Sequence, residues 1–204
     1  MRVRHPIILV LGAALMLVGG LARGEVRDPG THFFDSTFGD FKEELARAKE
    51  EGKKGVLLMF EMDECPFCQR MKANVLNQSE IQDYYKANFL IFPLDVEGNI
   101  DVTDFSGKAT TQKAMALEEY RVRATPVFAF FDLDGKLVTR YTGATKDVEE
   151  FRLLGQYVVD GAYAGANFPT YRREHQKAQK PSTCSRSRLS ASCDERNSGV
   201  QNGV

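Results

Sequence analysis

Apolar positions along the chain alternate between short continuous runs and helical stripes, a pattern that predicts a layered α/β domain. After a lead-in from Phe33 to Phe38, Asp40 has the form of a helix cap. Phe41, Leu45 and Ala48 share one face of the helix that follows, which runs to about Glu51 before Gly52 stops it. Gly55 to Phe60 is an unbroken apolar run, as in a strand buried on both faces. Helical stretches follow to about Val75 and over Ser79 to Ala87, the second with Ile81 and Tyr84 or Tyr85 inward. Phe89 to Phe92, continued by Leu94 to Val96, is a second apolar strand. Asn99 to Thr110 is polar and reads as a loop, and Thr111 to Tyr120 as a helix with Met115 and the alanines inward.

Val127 to Phe131 is a third apolar strand, and Asp134-Gly135 is a hairpin signal that pairs it antiparallel with Leu137 to Tyr141. Asp147 to Asp160 closes the series as an amphipathic helix carrying Val148, Phe151, Leu154 and Val158 on one side. The order α-β-α-β-α-β-β-α predicts a mixed sheet of about four to five strands with helices on both faces.

The patterning fails at both ends. Arg2 and Arg4 precede an apolar stretch from Ile7 to Ala22, and small residues stand at Ala22 and Gly24, so residues 1–24 are expected to be a secretory signal peptide. That expectation makes the protein an exported one. The run falls short of the roughly 20 residues that a membrane span needs, and an uncleaved membrane anchor stays open as the alternative. From Glu174 onward Ser, Arg, Lys, Gln and Asn dominate. Leu189 and Val200 cannot build a core, so residues 174–204 are expected to be a disordered polar tail and residues 25–173 the domain.

Charge changes the picture once the ends are set aside. The 204 residues hold 27 bases and 28 acids, whereas residues 25–173 hold 19 against 25 and residues 174–204 hold five against three. A balanced chain thus contains an acidic domain, which argues against a nucleic-acid partner. Four cysteines are too few for a disulfide-built scaffold. The chain has no Gly-rich phosphate loop, no Gly-x-Ser-x-Gly and no metal-binding His pair, so no cofactor is expected.

Candidate chemistry concentrates in Cys65-Pro66-Phe67-Cys68, directly after a buried strand and at the start of a helix. Unpaired N–H groups and the dipole at a helix N-terminus favour a thiolate, which makes Cys65 the nucleophile. Pro66 suits the first turn, where its missing N–H costs nothing. The helix brings Cys68 alongside as the thiol that resolves a mixed disulfide. A zinc half-site has the same spacing but needs further ligands from His32, His175, Cys184 and Cys193, the last three in or at the edge of the tail. A purely structural bridge closing so short a loop would stabilise little. Cys184 and Cys193 lack a rigid helix to activate them and read as incidental or as a structural pair.

Together with Ala124-Thr125-Pro126-Val127 entering a strand, the Cys-X-X-Cys motif resembles the thioredoxin superfamily over roughly Phe38 to Tyr157. The resemblance implies a thioredoxin fold in which Pro126 is cis and packs against the cysteines, while Thr125 faces substrate. Phe60 to Cys68 and the long segment Asn99 to Thr110 are most similar to exported thioredoxins of bacterial sulfur-oxidation (Sox) operons. That likeness implies a periplasmic, monomeric protein-disulfide reductase recharged by a membrane electron-donor thiol protein. An oxidant donating its disulfide to folding exported proteins, and a non-catalytic chaperone or assembly module, are the alternatives. The chain departs from the family in having Glu64 in place of the Trp before the first Cys, and Met59 in place of a buried Asp. Glu61, at the strand end, is the candidate substitute proton acceptor, with an exposed, idle carboxylate as the other reading. Asp63 and Glu64 oppose the helix dipole at Cys65, and their net effect is open from sequence.

Overall fold

Continuous apolar runs need cover on both sides, and the structure, a computed structural model that describes residues 25–179, supplies it. The described strands are β1 (Gly55–Glu61), β2 (Phe89–Asp95), β3 (Asp101–Thr103), β4 (Ala109–Thr111), β5 (Val127–Phe131) and β6 (Leu137–Thr142). The described α-helices are α1 (Pro29–His32), α2 (Phe41–Glu50), α3 (Pro66–Asn74), α4 (Ser79–Asn88), α5 (Gln112–Ala114), α6 (Val148–Val159) and α7 (Phe168–Gln179). The central sheet has the order β2-β1-β5-β6. β1 runs parallel to β2 and antiparallel to β5, and β6 returns antiparallel to β5 through the Asp-Gly turn. This is the mixed α/β sheet of a thioredoxin-like fold.

Successive residues of each strand feed opposite cores, as the period of two requires. Leu57, Met59, Phe89, Ile91, Phe128 and Phe130 face α3, α4 and α6, where Met71, Tyr85, Phe151 and Leu154 meet them. Val56, Leu58, Phe60, Leu90, Phe92 and Phe131 face α2, whose Phe41, Leu45 and Ala48 close the other side. β2 is an edge strand with its outer groups blocked. Ile91 accepts the Asp35 N–H at 2.7 Å and donates to the Asp35 carboxylate at 2.8 Å, Pro93 has no N–H, and Asp95 donates to the Gln112 side chain at 3.2 Å. Such an edge cannot template another strand.

Four expectations change. The segment Asn99 to Thr110 is not simply a loop but holds the two-stranded β3–β4 sheet, its turn held by Asp104, whose carboxylate accepts the Ser106 and Lys108 N–H groups. The Thr111–Tyr120 helix is one turn of α5 followed by a π-helical turn, Met115–Glu119, which still buries Met115 and Ala116. A short helix, α1, precedes the lead-in, and Phe33 at the start of the lead-in is a fully buried core residue. Residues 174–179, expected to belong to the polar tail, continue α7 to Gln179. Phe168 is buried, Arg172 pairs with Glu150, and Tyr171 donates to Asp160, so three anchors hold a helix whose remaining turn needs no apolar face. The expected signal peptide, the remainder of the tail, Cys184 and Cys193 lie outside the described residues. Among the described residues no helix is long and apolar enough to cross a membrane.

Candidate active site

β1 ends at Glu61, and three residues later the chain turns into α3 with Cys65 as the capping residue (φ −116°, ψ 99°). An extended cap can aim its side chain back at the first-turn amides, and Cys65 does so with sulfur: its Sγ accepts the Cys68 N–H at 3.0 Å. Pro66 occupies the first helical position without losing a backbone bond. Cys65 and Cys68 are joined by a disulfide with a Cα–Cα separation of 5.2 Å. A donor already directed at Cys65 Sγ, at the positive end of a helix, favours negative charge on that sulfur once the bond opens.

The disulfide sits at the margin of the core. Cys65 is 4% and Cys68 1% exposed, in one cluster with Met59 and Met71, while Phe67 between them is 57% exposed. Asp63 and Glu64 are both exposed. Met59 is fully buried, so the position that carries an acid in the resembled family is apolar here.

The Thr125–Pro126 peptide bond is cis. Val127 pairs with Phe60 across the sheet, which places Thr125–Pro126 at the same sheet end as the β1–α3 turn. Pro126 is buried and Thr125 half-buried, and the Pro126 carbonyl accepts the Gly143 N–H at 2.8 Å. Cys65, Cys68, Thr125 and Pro126 thus converge on one end of the sheet. Glu61 lies at that end too, but neither as an idle exposed carboxylate nor as an unpaired base. Its two carboxylate oxygens meet Lys72 Nζ of α3 at 2.6 and 2.9 Å, and its side chain is 16% exposed. Lys72 also stands 5.8 Å over the Phe34 ring, beside a cleft of about 700 Å³ that Glu61 and Gln69 help to line.

Two supports escaped the sequence reading. Arg70 of α3 donates to the carbonyls of Thr145 and Lys146, both at 3.3 Å, and the Thr145 hydroxyl lies 3.6 Å from Met71 Sδ. These contacts clamp α3 against the loop before α6. Their partners are some 75 residues apart, and no local pattern announces them. Among the described residues no group of three or more His, Cys, Asp or Glu could hold a metal ion.

The profile of the thioredoxin-like domain family matches residues 41–158. Among solved structures, a thioredoxin-fold protein from Helicobacter pylori is similar at 20% identity, over 62% of this chain and 87% of that one, with a TM-score of 0.51. A thioredoxin from Thermus thermophilus is 27% identical over 62% and 90% of the two chains, with a TM-score of 0.47. The C-terminal domain of Neisseria meningitidis DsbD in its reduced form is 22% identical over 57% and 91%, with a TM-score of 0.43. No curated protein matches the chain.

Proposed function

The chain belongs to the thioredoxin-like domain family, and on that premise we propose that it is a periplasmic thiol–disulfide oxidoreductase that reduces protein disulfides. The observation that carries this reading is the Cys65–Cys68 disulfide at the start of α3, with Cys65 Sγ accepting a first-turn amide. In the reduced protein the Cys65 thiolate attacks one sulfur of a client disulfide, and the other client sulfur leaves as a thiolate. Cys68 then attacks Cys65 Sγ, re-forms the Cys65–Cys68 bond and expels the second client sulfur. Two electrons pass to the client, and a membrane electron-donor thiol protein returns them.

Thr125 presents its backbone to the client in strand-like pairing, and Pro126 packs against the sulfurs. Glu61 accepts the Cys68 proton, with Lys72 holding its carboxylate in place. Residues 1–24 direct export, and the protein works as a monomer of the kind found beside sulfur-oxidation enzymes. No cofactor takes part.

Insulin reduction driven by dithiothreitol tests the activity. The wild type is expected to accelerate precipitation of the reduced chains and Cys65→Ser to abolish the acceleration; an inactive wild type, or an active Cys65→Ser, overturns the reading. Glu61→Gln is expected to slow turnover severalfold and to alter its pH profile, and an unchanged profile removes Glu61 from the mechanism.

A further inference from the structure

Phe60–Val127 is the last pair of the β1–β5 ladder, so the sheet itself holds neither Cys65 nor Thr125. Another segment links what stands beyond it. Residues 143–147 join β6 to α6 at this sheet end, since Thr142 pairs with Val127. Gly143, at φ 97°, turns the chain so that its N–H meets the Pro126 carbonyl at 2.8 Å. Thr145 is 1% exposed, and its hydroxyl lies 3.1 Å from the Asp147 carbonyl and 3.6 Å from Met71 Sδ of α3. The segment therefore touches the Thr125–Pro126 turn at one end and the helix that carries the cysteines at the other.

What closes the segment onto α3 is a single nitrogen. Arg70 Nη2 donates to the Thr145 and Lys146 carbonyls, both at 3.3 Å. A cationic donor binds a carbonyl more strongly than a neutral one. The Thr145–Lys146 peptide is gripped from its other side as well, because the Lys146 N–H donates to Glu150 Oε2 at 2.8 Å. A cation on the carbonyl and an anion on the N–H polarise one peptide in the same sense, so each bond strengthens the other. Glu150 is 8% exposed, and its second oxygen is paired with Arg172 of α7. The peptide that Arg70 holds is thus fixed to α6 and α7 rather than to a free loop.

We propose that Arg70 is a positioning residue for protein disulfides: by fixing residues 143–147 to α3, it sets where the Thr125–Pro126 backbone stands relative to Cys65. This rests on the redox reading of Cys65. A polypeptide client engages two surfaces at once, the Cys65 sulfur and the Thr125 backbone, so the geometry of attack depends on their relative placement. A small disulfide meets the sulfur alone. Arg70 therefore favours protein disulfides over small ones without touching either substrate.

The test reacts the full, pre-reduced chain in a single turnover with insulin or with glutathione disulfide, following closure of the Cys65–Cys68 bond by alkylation and peptide mass. Arg70→Ala is expected to lower the ratio of the insulin rate to the glutathione-disulfide rate about tenfold, as the loss of charged hydrogen bonds that set an attack geometry should. Arg70→Lys is expected to restore most of that ratio, since both bonds leave from one nitrogen and an ammonium can supply them. An unchanged ratio in Arg70→Ala, whether both rates fall together or neither falls, overturns the proposal and leaves the redox reading of Cys65 standing. An Arg70→Lys chain no better than Arg70→Ala does the same. A wild type whose Cys65–Cys68 pair closes with neither substrate overturns both.

Discussion

Leu57 and Met59 of β1 point to one face of the central sheet and Val56, Leu58 and Phe60 to the other, and the two faces are finished differently. The first is closed by α3, α4 and α6 and is crowded with aromatic rings: Tyr85 stacks on Phe151 at 4.5 Å and donates its hydroxyl to the Phe151 carbonyl at 2.5 Å. Gly155 belongs to that packing, since a Cβ there would stand 2.8 Å from Tyr85. Both active-site sulfurs lie in this same cluster. The second face, under α2 and the π-helical turn, contains no cysteine. One strand thus serves a face where packing sets the geometry of a reactive pair and a face that only supports it. The difference teaches that stability and redox chemistry should separate according to which way a β1 side chain points.

The sharpest separation comes from chemistry without packing. Cys65→Ser is expected to remove disulfide reduction entirely while leaving cooperative thermal unfolding close to that of the oxidised wild type. A large loss of melting temperature would mean that the bridge is chiefly structural. Next in size are paired cavities on neighbouring residues of β1. Met59→Ala and Leu58→Ala each remove a fully buried side chain and are each expected to cost about 2–5 kcal/mol in denaturant unfolding. Only Met59→Ala should also shift the midpoint potential of the cysteine pair. Equal shifts from both would break the contrast between the faces.

A smaller effect belongs to the support alone. Burial by itself would raise the Asp104 carboxyl pKa, but hydrogen bonds from the Ser106 hydroxyl and the turn amides outweigh it and hold the group below its ordinary value. A depressed carboxylate contributes stability that is present above the unfolded pKa, near 3.9, and lost as pH falls through the folded one. Asp104→Ala is therefore expected to cost about 1–2 kcal/mol at pH 7, the difference from wild type shrinking below about pH 4, with no change in redox potential. Urea unfolding at several pH values measures both.

What the sequence disclosed follows the same division between local and distant causes. β1, β2 and β5 were legible because a strand buried on both faces writes an unbroken apolar run, and β6 because Asp134-Gly135 marks its turn. The β3–β4 pair was not. Its arms are three residues long, only Val102 among them is buried, and β3 is held by Gly39 and Asp40, far away in the chain. The π-helical turn escaped for another reason: one extra residue per turn barely disturbs the spacing of Met115 and Ala116. At the site, Cys65, Cys68, Thr125 and Pro126 lie in motifs that specify local geometry. The Glu61–Lys72 pair and the Arg70 clamp exist only once α3 has packed, so no spacing revealed them.

The most direct measurement of the central claim is a redox titration of the Cys65–Cys68 pair against dithiothreitol and glutathione, read by alkylation and mass. A reductant of client disulfides predicts a single two-electron transition in which both sulfurs become alkylatable together, with a midpoint near about −270 mV. A midpoint near about −120 mV would make the protein an oxidant, and a pair that stays closed until the chain unfolds would contradict the account altogether.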